Sequence, residues 1–130
     1  LKWLSKYKIR ESEGRDYYFI YSKDGNPVGV NRIYNIHEYY GTIGSWLCSP
    51  GNDVEVYMAT NLIVNDIMFE ILNLDLTLFD VRKANKHVWK MHKSLGAKMV
   101  GESEIDYYFV IFKNDYFPLR DKMLNLLNIK

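Results

Sequence analysis

The sequence predicts a mixed α+β fold, with a central, mostly antiparallel sheet flanked by helices on both faces, in one domain over residues 1–130. Three observations predict it. Short β-prone runs stand early in the chain, two of them separated by Asp24-Gly25, a strong hairpin signal. The apolar period then lengthens to three and four residues over 53–72 and again over 85–96. Between these helical stretches lies one strand pattern, residues 74–81, which makes the crossover that a mixed sheet needs.

Residues 1–13 read as a short amphipathic helix with Trp3, Leu4 and Tyr7 on one side. Residues 16–21, 27–36 and 40–48 read as three strands, and Ser49-Pro50-Gly51 breaks the third. Asn52 followed by Glu55 resembles a capping box opening the next helix, whose predicted face is Val56, Ala59, Ile63, Ile67 and Ile71. Asn85 is placed to cap the following helix, with Val88, Met91, His92 and Leu95 inward and Gly96 as its C-cap. Residues 97–102 and 105–113 form a last strand pair. Residues 118–129 close the chain as a helix.

Composition narrows the function classes. The hydrophobic share is 48% and the charged share 25%, ordinary for a globular protein, and no apolar run approaches the ~18 residues of a membrane span. The net charge of +1 gives no electrostatic reason to expect nucleic acid or a membrane as partner. With one cysteine, Cys48, no disulfide forms within the chain; with no secretory leader at the start, a cytoplasmic location is expected. His37, His87, His92 and Cys48 lack metal-ligand spacing, so no metal is expected.

The ordered set of motifs resembles the GNAT superfamily of acetyl-CoA-dependent N-acyltransferases. Phe69-Glu70-Ile71-Leu72-Asn73-Leu74 followed by Leu76 and Leu78 looks like the end of that family's cofactor helix running into its fifth strand. Asn85 and then His92-Lys93-Ser94-Leu95-Gly96-Ala97-Lys98 look like its loop asparagine and the following helix end; Val100-Gly101-Glu102 matches the next strand, and Gly25-Asn26-Pro27-Val28-Gly29 its hairpin. The likeness spans roughly residues 16–113 and is closest in look to the amino-sugar and protein N-terminal acetyltransferase branch. The chain opens at Leu1, and the family's first strand and helix have no counterpart, so the sequence reads as a piece lacking them.

The resemblance implies acetyl-CoA as cofactor, a small-molecule amine or nucleotide-linked amino sugar as acceptor, and a homodimer as the assembly to test. It implies that Trp46, Leu47 and Cys48 line the pantetheine arm through their backbone. The phosphates fall on Gly51, Asn52, Asp53, Val54, Glu55, Val56 and Tyr57, where the family's glycines and basic residue are missing and Asp53 and Glu55 compete for the helix dipole. Arg82, Lys83 and Lys86 are candidates to supply charge instead, and Asn85 to touch the cofactor. His92 falls where many members carry a tyrosine acid, so it is the expected proton donor to the leaving thiolate; the alternative is a half-buried structural histidine. Thr42 stands where a glutamate base is common, which leaves His37, Glu38, Tyr39 and Tyr40 as expected acceptor-side residues. The missing glycines and base keep open a second reading, a GNAT-fold binding module without catalysis.

Overall fold

A computed structural model describes residues 2–48 and 54–127. The element order is α1 (Lys2–Ser12), β1 (Tyr17–Lys23), β2 (Asn26–Tyr34), β3 (Tyr40–Cys48), α2 (Val54–Asp66, continuing as π-helix over Ile67–Ile71), β4 (Leu76–Arg82), α3 (Lys86–Leu95), β5 (Lys98–Glu102), β6 (Asp106–Phe112) and α4 (Lys113–Leu126). The strands form one six-stranded sheet in the order β1-β2-β3-β4-β6-β5. Every pairing is antiparallel except β3 with β4. The mixed, mostly antiparallel α+β class expected from the sequence is the one observed. None of the described helices is long and apolar enough to cross a membrane.

Local chemistry sets the turns. Asp24 and Gly25 both take positive φ, 52° and 81°, as a type I′ hairpin requires, and this matches the right-handed twist of β1 and β2. Gly96 closes α3 at φ 110° with its N–H on carbonyls of the last turn.

Contacts of α2, α3 and α4 fall on the sheet face that carries Ile33, Ile43, Thr77, Phe79 and Phe109. His92 of α3 packs on Phe79, Thr77 bonds Asn65 of α2, and Asn61 of α2 reaches Met123 of α4. The face of α2 differs from the predicted one. Ile63 and Ile71 are 44% and 74% exposed, while Met58, Thr60, Asn61, Val64, Asn65, Met68 and Phe69 are buried. The buried polar groups are satisfied across the interface. Asn65 Nδ2 donates to Asn61 Oδ1 at 2.8 Å, and Asn65 Oδ1 accepts from Thr77 Oγ1 at 3.2 Å. The π-turn then rotates Met68 and Phe69 inward, its wider ring marked by the Leu72 N–H bond to the Ile67 carbonyl. The last helix also starts earlier than predicted, at Lys113, and takes Pro118 inside it. Buried Tyr116 anchors that added turn, its hydroxyl donating to the Leu62 carbonyl at 3.2 Å and to Asp66.

Candidate active site

The site begins with a defect in the sheet. In the pairing of β2 with β3, Arg32 faces Gly44 and Val30 faces Leu47, so β3 carries one extra residue opposite Asn31. Such a bulge bends and twists the strand that holds it. On its other side β3 pairs with β4 only from Tyr40 to Ile43, against Leu76 to Phe79. Past Ile43 the two parallel strands have no pairing, whereas β4 keeps its full ladder with β6 out to Arg82 and Asp106.

A cleft of about 310 Å³ occupies the split. Ile43 and Gly44 of β3 form one wall, and Asp80, Val81 and Arg82 of β4 the other. Tyr57 of α2 and Val88 of α3 come from the helix side, with Asn85 at the head of α3. The Asn85 carbonyl accepts the first bonds of α3, from Val88 and Trp89 at 3.2 Å, but its side chain makes no capping bond. Arg82 Nε donates to Asp106 Oδ1 at 3.1 Å.

Behind the cleft stands His92, 1% exposed, with its ring 4.5 Å from that of Phe79 and 6.0 Å from that of Phe109. Burial holds its imidazole down to about 3, so it is neutral at ordinary pH. Its Nε2 lies 3.2 Å from Tyr57 Oη. Tyr57, not His92, is the member of the pair that lines the cleft.

Two hollows continue on from the split. One, about 450 Å³, lies between Tyr34, Thr42, Leu78, Val100 and Tyr108 and shares Asp80 with the cleft. A Cβ at Gly44 would lie 2.6 Å from Tyr34 Cε1, so glycine there lets the Tyr34 ring lie against β3. The other, about 250 Å³, is lined by Arg15, Asp16, Arg32 and His37 and shares Tyr34 with the first. Arg32 donates to both oxygens of buried Asp16, at 2.9 and 2.6 Å, and its guanidinium lies over the Tyr18 and Tyr34 rings.

No family model and no curated protein matches this chain. Solved structures do. An apo nucleotide-linked sugar GNAT, FdhC, is 28% identical, with a TM-score of 0.84 over 99% of this chain and 74% of that one. The Campylobacter jejuni N-acetyltransferase PseH, solved with acetyl coenzyme A, is 20% identical at TM-score 0.70, covering 84% and 76%. Spermidine N-acetyltransferase from Vibrio cholerae, solved with CoA and spermine, is 16% identical at TM-score 0.74, covering 87% and 75%. The chain belongs to the GNAT superfamily.

As a GNAT chain it can be compared residue by residue with the expectations from its sequence. Tyr57 and Asn85 line the cleft together. Val56 is half-buried near the start of α2 and lies outside the cleft lining. Leu47 is 67% exposed on β3. For Trp46, Cys48, Val54 and Glu55 only the backbone is described, and Gly51, Asn52 and Asp53 lie outside the described residues. Exposed His37 and half-buried Tyr40 stack at 4.5 Å. With Glu38 and Tyr39 they sit at the opposite end of β3 from the split, and among the described hollows only the 250 Å³ one reaches them, through His37. Arg82, a charge candidate from sequence, lines it too, with Ile43, Gly44, Val88 and Asp106, while Asp80 and Val81 line it and were not singled out from sequence. Asp80 had a signal: it is the one acid on the strand face that carries Leu76 and Leu78.

The arrangement fits acetyl-CoA on two observations. Among the described residues the β4 side of β3 has no strand partner past Ile43, so main-chain groups there are left for an amide-bearing arm. Gly44 also keeps side-chain bulk out of that wall.

Proposed function

We propose that this chain is an acetyl-CoA-dependent N-acetyltransferase that moves an acetyl group to a primary amine of a small molecule or a nucleotide-linked amino sugar. The observation that carries the reading is the split between β3 and β4, a cleft with Tyr57 and Asn85 at its wall and a second hollow sharing Asp80. The likeness to a nucleotide-linked sugar GNAT supports the acceptor class.

Each part of the site has a role in this reading. The backbone of Trp46, Leu47 and Cys48 and the side chain of Asn85 bind the cofactor arm. Residues 51–57 bind its phosphates through amides at the start of α2. Acetyl-CoA would supply an acyl group activated as a thioester. Tyr57 Oη gives a proton to the leaving sulfur. Buried His92 is the positioning residue: with its proton on Nε2 it donates to the tyrosine oxygen and stabilises the phenolate left behind. His37, Glu38, Tyr39 and Tyr40 hold the far end of an extended acceptor, reached through the hollow that shares Tyr34. We assign the chain to the cytoplasm on its single cysteine, and to a homodimer on exposed Met99, Val100 and Ile105 at edge strand β5 and the turn after it.

Thermal unfolding with and without acetyl-CoA tests the reading, because a ligand of the native state raises the melting temperature in step with its affinity. A rise is expected at sub-millimolar cofactor. Thiol release should follow when spermidine, glucosamine and a nucleoside-diphosphate amino sugar are offered in turn. No rise at millimolar acetyl-CoA removes the enzyme reading, and a rise without thiol release from any amine leaves the non-catalytic binding module.

A further inference from the structure

We infer that Asp80 is the base of the transfer: its carboxylate receives the acceptor's ammonium group at the split and takes a proton from it. The inference rests on the acetyltransferase reading and adds the proton acceptor that the sequence pattern left unassigned.

Position is the first argument. Asp80 is the one residue common to the lining of the cofactor cleft and of the 450 Å³ hollow. A group that meets an acyl donor from one side and an amine from the other has to stand there. It is also the first residue of β4 past the last pair with β3, so the split itself exposes it.

Charge is the second. Arg82, the basic neighbour on the same face, is already bonded to Asp106 at 3.1 Å. Among the described residues Asp80 makes no ion pair. The charged and titratable groups around it are Arg82 on its own strand, Asp106 and Tyr108 on β6, Tyr34 on β2 and Tyr57 on α2. None is an unpaired cation. Arg32 stands beyond Tyr34 and is held by Asp16. A carboxylate with no cation of its own, at the end of a mostly apolar hollow, is complementary to an amine.

Partial burial, and then repulsion from Asp106, push the Asp80 carboxyl above its ordinary value, while its own backbone N–H and Arg82 act the other way. A raised value brings a carboxylate closer to the strength that proton abstraction at neutral pH needs.

The protons balance. The ammonium loses two over one turnover. Asp80 takes the first and, being open to solvent, passes it to water. The freed lone pair forms the new N–C bond and the second proton leaves nitrogen. The C–S bond breaks with its electron pair on sulfur, which takes a proton from Tyr57, and the second proton from nitrogen restores the Tyr57 hydroxyl. One proton ends in solvent and one on the thiol.

The test is Asp80→Asn, with Asp80→Ser as a second variant should the first express poorly. Each is measured with acetyl-CoA and the amine of highest rate among spermidine, glucosamine and a nucleoside-diphosphate amino sugar. Transfer is expected to slow by about 10²-fold or more, with the melting shift given by acetyl-CoA kept. The acid limb of the rate profile, present in the wild type as Asp80 protonates, is expected to vanish. A second readout needs no turnover. An acid whose folded value is raised weakens the fold as pH rises through the window from its unfolded to its folded value. Asp80→Asn is therefore expected to melt higher than the wild type at neutral pH, with the gap closing on acidification. Transfer within about threefold of wild type, loss of the acetyl-CoA shift in the variants alone, or a lower melting point at neutral pH each overturns the role of Asp80. A wild type that ignores acetyl-CoA overturns the acetyltransferase reading itself.

Discussion

The two ends of the β3–β4 pair are built from the same strands and do opposite things. At the paired end, Tyr40 to Ile43 lie in register with Leu76 to Phe79, and the helix-side surface is sealed. Gly41 makes room there for α2, since a Cβ would come within 3.0 Å of Met68 Cε. Ile33, Ile43, Phe79 and Phe109 are at most 3% exposed. One residue further on the pairing stops, and polar groups gather: Asp80, Tyr57 and Asn85 around the bare backbone of Gly44. A single bulge in β3 separates a region that gains by excluding water from one that needs room for a ligand. Stability should therefore concentrate at one end and chemistry at the other.

The largest expected effect lies at the sealed end. Phe109 is fully buried and stacks on Phe79 at 5.3 Å between ring centroids. Phe109→Ala should cost about 3–5 kcal/mol of unfolding free energy, read from urea midpoints, while the folded fraction keeps its affinity for acetyl-CoA. A cost below about 1 kcal/mol would show that the paired end does not anchor the sheet. Next comes Tyr57→Phe at the open end. It removes the hydroxyl that meets His92 Nε2 and should slow transfer about 10²-fold at a stability cost near 1 kcal/mol. A variant that loses several kcal/mol while its folded fraction turns over normally would make Tyr57 a structural residue and erase the contrast between the two ends.

The turns were the legible part of the fold. Asp24-Gly25 and Gly96 announce their turns because positive φ is a local demand that few residues meet. The early hairpin and the one crossover were legible from spacing, and the order of the six strands came only with the structure. The inner face of α2 did not follow, because Asn61 and Asn65 look solvent-facing until Thr77 and Met123 arrive from 12 and 62 residues away. The split was hidden for the same reason. A bulge is a relation between two strands, so neither Gly44 nor Asp80 declares it alone. His92 was legible as an inner-face residue, but its partner Tyr57, 35 residues distant, was not.

Asn65 gives the third test of the contrast. Its amide bridges α2 to β4 beside the paired end, donating to Asn61 and accepting from Thr77. Asn65→Ala leaves the Thr77 hydroxyl and the Asn61 carboxamide buried without that partner, which should cost about 2 kcal/mol. If the network belongs to the sealed region, cofactor affinity stays unchanged when corrected for folded fraction. A fall in affinity would mean that α2 transmits strain to Tyr57 and that the two ends are coupled.

The smallest effect sits on the boundary between the ends, at His92. Its imidazole is held down to about 3 in the fold by burial, against an ordinary 6.5. Between those values the unfolded chain binds a proton that the native chain refuses, so stability rises with pH across the window. The contribution is complete above the unfolded value and is lost as pH falls toward 3, with a slope of at most about 1.4 kcal/mol per pH unit for one proton. Carboxylates elsewhere add their own pH dependence, but they do so equally in His92→Phe, which keeps an aromatic ring against Phe79 and Phe109. The difference between the two urea curves, followed from about pH 7 down to pH 4, isolates the histidine. A wild type that loses stability faster than the variant places His92 with the sealed core and leaves Tyr57 Oη as the proton-bearing group at the cleft. Parallel curves would mean that His92 titrates in the folded state, that water reaches it through the split, and that the imidazole itself stands on the open side of the boundary.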